Sequence, residues 1–65
     1  MRFRQTTVQE EAQRLRKRVA IFERRYELTS QEMLDAVRSG AARETAEIAT
    51  WLLCYRALQE LERRA

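Results

Sequence analysis

The side chains that could carry chemistry in this chain are carboxylates, arginines and a single cysteine. The sequence has one Cys, Cys54, and no His. A zinc site needs Cys, His or carboxylate ligands at a recognisable spacing, and no such set occurs. Neither Cys54 nor any Ser has a base beside it in sequence, which argues against nucleophilic catalysis. We therefore expect no enzyme activity, no metal and no cofactor, with Cys54 as a small apolar filler.

The acidic residues are the remaining candidates for acid–base chemistry or cation binding. Glu23 and Glu27 are four residues apart and would share one face of a helix. Paired carboxylates can exchange protons or bind a divalent cation. The simpler interpretation is a solvated helix face, and we adopt it for the whole set: Glu23, Glu27, Glu32, Asp35, Glu44 and Glu47.

Basic residues are concentrated in the first half of the chain. Residues 1–28 carry eight basic and four acidic residues, residues 29–65 carry five and six, and the net charge is +3. On a helix, the basic side chains form a stripe that could follow a phosphate backbone or meet an acidic protein rim. Ile21 interrupts this stripe, and no row of polar side chains is placed to read bases. The candidate contact residues are Arg14, Lys17, Arg18, Arg24 and Arg25.

Two apolar stripes predict the long helices that would position these groups. Their residues recur at alternating steps of four and three, which is typical of amphipathic helices. One Gly and no Pro also favour helix throughout. The first stripe contains Val8, Ala12, Leu15, Val19, Phe22 and Tyr26, and the second contains Ile48, Trp51, Tyr55 and Leu58.

Capping residues set the expected bounds of three helices. Thr7 begins a capping box with Glu10, and Thr29 begins another with Glu32. Gly40 is a natural helix end, because glycine accepts the left-handed conformation. We predict one all-α domain over residues 1–65, a helical hairpin of long, short and long helices, with Phe22, Tyr26, Trp51 and Tyr55 clustered at the hinge. Its segments are a flexible lead at 1–6 and helices at 7–27, 30–39 and 43–63.

The apolar surface is larger than a simple hairpin would cover. A core of this size rarely supplies more than about 3–5 kcal/mol, and small domains often add a partner or a second copy. The third helix spreads apolar residues over about half of its circumference, more than one neighbouring helix covers. We therefore expect a homodimer or a partner protein. The expected partner-binding residues are Met33, Val37, Trp51, Cys54, Leu58 and Leu61.

The remaining sequence features predict a cytoplasmic protein. Met1-Arg2-Phe3-Arg4 is followed by polar residues and not by an apolar run, unlike a signal peptide. No run approaches the roughly 18 apolar residues of a membrane span. A single free Cys is compatible with a reducing compartment.

About half of the chain, from Phe22 to Tyr55, resembles a family of small prokaryotic proteins associated with toxin–antitoxin gene pairs. The family pattern is Phe-Glu-x-x-Tyr, a Ser-x-Glu helix start, a Gly, two acids and Trp-x-x-x-Tyr. The matching residues here are Phe22, Glu23, Tyr26, Ser30, Glu32, Gly40, Glu44, Glu47, Trp51 and Tyr55.

This chain departs from the family pattern at three places. The family usually has Gly where Glu27 stands, Phe where Met33 stands, and Gly-Asp where Arg43-Glu44 stands. The resemblance implies an antitoxin, a small helical protein that blocks a co-expressed toxin, commonly a ribonuclease.

Three hypotheses for function therefore stand at the level of sequence. The first is a non-catalytic protein-binding module, specifically an antitoxin that acts by occlusion. The second is a basic helical nucleic-acid-binding protein or transcriptional regulator, which would bind with a steep dependence on salt. The third is a structural homo-oligomer whose self-assembly hides the apolar arc of the third helix.

Overall fold

Three helices make up the part of the chain that the computed structural model describes, residues 7–64. In chain order they are α1 (Val8–Tyr26), α2 (Ser30–Ser39) and α3 (Ala46–Arg64). The predicted all-α class and the order of long, short and long helices are confirmed. The flexible lead predicted at 1–6 lies outside the described residues.

The first two helices begin at the threonines that predicted them. The Thr7 hydroxyl accepts a hydrogen bond from the backbone N–H of Glu10 at 3.1 Å. At α2 the reciprocal capping box is complete: Thr29 Oγ1 accepts from the Glu32 N–H at 3.1 Å, and the Glu32 carboxylate accepts from the Thr29 N–H at 2.8 Å. These bonds satisfy N–H groups that have no partner within the helix.

The third helix begins three residues later than predicted, at Ala46 instead of residue 43. Thr45 is its cap, since the Thr45 hydroxyl accepts from the Ile48 N–H at 3.2 Å. The preceding residues belong to the end of α2, where the Ala42 N–H bonds to the Ala36 carbonyl at 3.0 Å. This bond holds residues 40–42 in a turn, so α3 begins further along the sequence. Thr45 is a favoured N-cap residue, so the sequence contained a usable signal for this start, as it did at Thr7 and Thr29.

The two long helices pack antiparallel. Arg16 on α1 binds Glu62 on α3 through Nε at 3.2 Å and Nη2 at 2.9 Å, and at the hinge end Arg25 pairs with Glu47. All four side chains are about half exposed, so each pair contributes at most about 1 kcal/mol. Together the pairs favour one alignment of the two helices.

Two apolar clusters line the hairpin, and each uses a different sector of α3. In the first, α1 covers Cys54 and Leu58 with Ala12, Leu15 and Val19. The second, at the hinge, contains Met33, Leu34, Ile48, Trp51 and Leu52. Tyr55 packs against both clusters and joins them.

Cys54 and Leu58 were expected to bind a partner, which requires them to point away from the hairpin, and this expectation of their orientation is wrong. Each is only 7% exposed and contacts α1. The reason is that α2 covers a separate part of α3: Ile48, in the α2 cluster, lies roughly 120° from Cys54 at about 100° per residue. Two helices thus cover an apolar arc that one helix could not.

α1 and α2 each end at a residue in the left-handed backbone conformation. This geometry predicts how the stability of the fold changes when glycine replaces another residue there, or the reverse. Glu27 has φ 56° and Gly40 has φ 83°. A side chain in this conformation costs roughly 1–2 kcal/mol, partly offset by the entropy that glycine adds to the unfolded chain. We expect Glu27→Gly to stabilise the fold by about 0.5–1 kcal/mol in urea unfolding.

Gly40→Ala is the matched change in the opposite direction. A Cβ at Gly40 would meet no atom within 4 Å, so steric clashes do not contribute to the effect of this substitution. The change in the free energy of unfolding then reports the cost of the left-handed backbone conformation. We expect a loss of about 1 kcal/mol. Destabilisation by Glu27→Gly, or no cost for Gly40→Ala, would contradict the assigned helix ends.

The capping box also makes stability depend on pH. Hydrogen bonds from Thr29 hold the pKa of Glu32 below its ordinary value; the larger effect comes from the backbone N–H and the smaller from the side chain. The stabilisation of the fold by the ionised Glu32 carboxylate is therefore present above the unfolded pKa and is lost as pH falls through the folded pKa. We expect the Glu32→Gln variant to lose less stability than the wild type from about pH 5 downward, measured by urea unfolding at each pH. If the free energy of unfolding falls equally with decreasing pH in the two proteins, this assignment is wrong.

Candidate protein-binding face

Trp51 is the centre of the hinge and is fully buried. Its ring stacks between Phe22, with centroids 5.8 Å apart, and Tyr26, at 5.4 Å. Tyr55, one turn further along α3, packs against the same cluster. The predicted aromatic cluster at the hinge is therefore confirmed, and its rings belong mainly to the core.

A chain of hydrogen bonds connects this ring to the other two helices. Trp51 Nε1 donates to Ser30 Oγ at 2.8 Å, and Ser30 Oγ donates to the Glu23 carboxylate at 2.9 Å. The same Glu23 oxygen accepts from the Ser30 backbone N–H at 2.7 Å. Ser30 is 1% exposed, so its hydroxyl is a partner for the indole inside the core. One chain of bonds thus ties α1, α2 and α3 together.

The assignment of Glu23 to a solvated face was wrong. Glu23 is half-buried and accepts two hydrogen bonds from Ser30. Sequence reasoning named Ser30 only as part of a helix start and missed its hydrogen bonds to Glu23 and Trp51, although a Glu seven residues before a Ser, across a helix end, was a usable signal. The serine–carboxylate pair is not a nucleophile and base open to substrate, because Ser30 is enclosed and its oxygen already accepts from Trp51.

Several other acids have structural partners as well. Asp35 accepts from the Gln31 amide at 3.0 Å, and Glu47 pairs with Arg25. Burial raises the pKa of the Tyr26 hydroxyl, and the nearby Glu47 carboxylate, to which it hydrogen-bonds, raises it further. Within residues 7–64 no group of three or more Cys, Asp or Glu side chains is arranged to hold a metal ion.

The predicted partner-binding set is divided by the structure. Met33, Trp51, Cys54 and Leu58 are at most 7% exposed, so as a set they offer no surface to a partner of the folded chain. They are buried because α1 and α2 both pack against α3. Val37 and Leu61 remain half-buried and partly accessible.

The predicted basic stripe is on the surface of α1. All five of its members, Arg14, Lys17, Arg18, Arg24 and Arg25, are exposed. Arg14 pairs with Glu11 and Arg25 with Glu47. Arg18 has no ion-pair partner among residues 7–64 and keeps its charge available.

A shallow groove of about 220 Å³ separates α1 from α3 beside this stripe. It lies on the side of the hairpin away from α2: Arg18 and Arg25 are roughly 140° and 160° from Glu23, the residue that binds α2, at about 100° per residue. Its lining residues are Arg18, Ile21, Phe22, Arg25, Thr50 and Cys54.

Large apolar side chains are exposed on this side of the hairpin. Ile21 is 55% exposed at the groove, and Leu53 is 70% exposed three residues after Thr50, the neighbouring position on that side of α3. We call the groove residues together with Leu53 the open face. Leu53 was absent from the predicted set, although a large apolar residue outside the α3 stripe could have indicated it.

A second, more polar groove of about 320 Å³ lies at the other end of the hairpin. Val8 and Leu61 are its larger apolar side chains, and the Arg16–Glu62 ion pair spans it. The open face offers larger exposed apolar side chains, so we take it as the candidate protein-binding face.

Comparison with known proteins found no matching family model, no matching curated protein and no matching solved structure. Within residues 7–64, none of the helices is long and apolar enough to cross a membrane.

The hydrogen-bond chain at the hinge predicts a large effect for a small substitution. In Ser30→Ala the Trp51 indole N–H loses its acceptor inside the core. We expect a loss of about 1–3 kcal/mol in urea unfolding.

Trp51→Phe in the Ser30→Ala background provides the control, because the unpaired donor is then absent. The effect of Ser30→Ala should be smaller in the Trp51→Phe protein than in the wild type, a coupling that a double-mutant cycle measures. Additive effects of the two substitutions would refute the proposed link.

Proposed function

We propose that this chain is a non-catalytic protein-binding module, an antitoxin that neutralises a co-expressed toxin by occlusion. The observation that carries the proposal is the open face. Ile21 and Leu53 are exposed there, whereas most of the other large apolar side chains pack inside the hairpin. Exposed apolar residues gathered on one face, with polar residues around them, are typical of protein-interaction sites.

The resemblance to antitoxin-like proteins supports the same proposal. Phe22, Glu23, Tyr26, Ser30 and Trp51 carry much of that pattern, and in this structure they form one connected hinge. The pattern thus corresponds to a physical unit that holds α1 and α3 as a fixed pair. Such a pair presents a preorganised surface, which lowers the entropy lost on binding.

Nucleic-acid binding is the second candidate, favoured by the exposed arginines of α1. The open face fits it less well, because Ile21 and Leu53 would lie against a hydrated phosphate backbone. Two members of the stripe, Arg14 and Arg25, are also already paired with carboxylates. A protein partner makes use of both the apolar and the basic residues.

Co-expression with the product of the adjacent gene tests the proposal. We expect that product to arrest growth alone and to be harmless when this chain is present. The double variant Ile21→Glu/Leu53→Glu should lose this protection, since binding would bury two unpaired charges. Its melting temperature should stay close to that of the wild type, because both positions are exposed.

Ala20→Glu/Gln59→Glu is the matched control. It adds the same charges at exposed positions on the same two helices, away from the groove, and Gln59 lies roughly 120° around α3 from Leu53 at about 100° per residue. This variant should protect as the wild type does. A neighbour that is harmless alone, or equal protection by both double variants, would overturn the proposal. DNA binding with a steep salt dependence would then favour the second candidate.

A further inference from the structure

We infer that the occupant of the open face is an acidic amphipathic helix of the partner protein. The inference deepens the proposed function and rests on it for the existence of a protein partner. It concerns the chemistry of the contact, which can be tested without knowing the toxin.

The shape of the site suits a helix. A groove between two antiparallel helices can take a third along its length, with apolar anchors at three- and four-residue spacing. Phe22 contributes apolar surface to the groove, Cys54 lines it with little exposed area, and Ile21 adds an exposed apolar edge. From Arg18 to Arg25 the groove extends about 10 Å along α1, roughly two helical turns.

The charge of the site selects an acidic occupant. Among residues 7–64, Arg18 and Arg25 are the only charged side chains that line the groove, and both are basic. Arg25 is partly neutralised by Glu47, but Arg18 has no ion pair within residues 7–64. Arg14 lies one turn before Arg18 on the same stripe but is paired with Glu11, so Arg18 supplies most of the uncompensated positive charge at this site. Carboxylates along the edges of a bound helix would meet these guanidinium groups.

The same charges argue against two other occupants. A second copy related by a two-fold axis through the groove would bring Arg18 and Arg25 near their own copies, which is repulsive. The phosphate-binding site of a ribonuclease is itself basic and would be repelled too. Blocking a ribonuclease through this face would therefore require a helix beside that site, with this chain covering the entrance.

Two synthetic peptides test the inference on the full chain. Both form amphipathic helices of about 18 residues with leucines at three- and four-residue spacing. One has glutamates along both edges of the apolar face and the other has lysines. Fluorescence anisotropy should show the acidic peptide binding with a Kd below about 100 µM, at least about tenfold tighter than the basic peptide. Sedimentation of the chain alone should show a monomer at the concentrations used.

Charge reversal at Arg18 is the decisive variant, because Arg18 is exposed and has no ion pair to another of residues 7–64. Arg18→Glu should weaken the acidic peptide about tenfold and improve the basic one, with an unchanged melting temperature. Lys17→Glu is the matched control: it adds the same charge at an exposed α1 position outside the groove and should have a smaller effect.

Each other outcome would overturn the inference. These outcomes are weak binding of both peptides, equal binding of both, equal effects of the two variants, or a dimer that the Ile21→Glu variant dissociates. The last would assign the face to a second copy. Failure here with intact protection in co-expression would leave the antitoxin proposal standing and place the toxin contact elsewhere. Peptide binding without protection in co-expression would support the acidic helical occupant and overturn the antitoxin proposal.

Discussion

The chain of hydrogen bonds from Trp51 through Ser30 to Glu23 is the constraint on which the rest of the fold depends. An indole fully buried between two aromatic rings needs an acceptor for its N–H, because an unpaired donor in the core costs about 1–3 kcal/mol. Ser30 supplies the acceptor only if α2 begins directly beside Trp51. Glu23 fixes that start by accepting both the backbone N–H and the hydroxyl of Ser30.

Once α2 is fixed in this way, the exposed surface follows. The short helix packs on one sector of α3 and α1 packs on another, so the broad apolar arc of α3 becomes the chain's own core. Within residues 7–64, no helix covers the side of the hairpin away from α2. The exposed Ile21 and Leu53 lie on that side, together with Arg18 and Arg25.

The hinge and the open face have separate roles, and this separation gives the proposed function a physical basis. The hinge carries the aromatic rings and the buried hydrogen bonds, and its role is to hold two long helices in fixed alignment. Arg18, Ile21 and Leu53 are exposed members of the open face without a part in that alignment, so substitutions at these three positions should separate binding from folding. A small domain with a modest core can stay folded alone and still keep an apolar, basic surface for a partner.

Local sequence signals predicted the three helices, the N-caps of the first two and the aromatic hinge, because capping and amphipathic spacing are local properties. Thr7 and Thr29 cap their helices, Gly40 ends α2, and Phe22, Tyr26 and Trp51 meet at the hinge. The burial of Cys54 and Leu58, the hydrogen bonds from Ser30 to Glu23 and the exposure of Leu53 follow from tertiary packing instead. Helix periodicity says how wide an apolar arc is, but not how many neighbours cover it. That depends on where α2 returns against α3, and a contact between residues 21 positions apart, Ser30 and Trp51, sets that place.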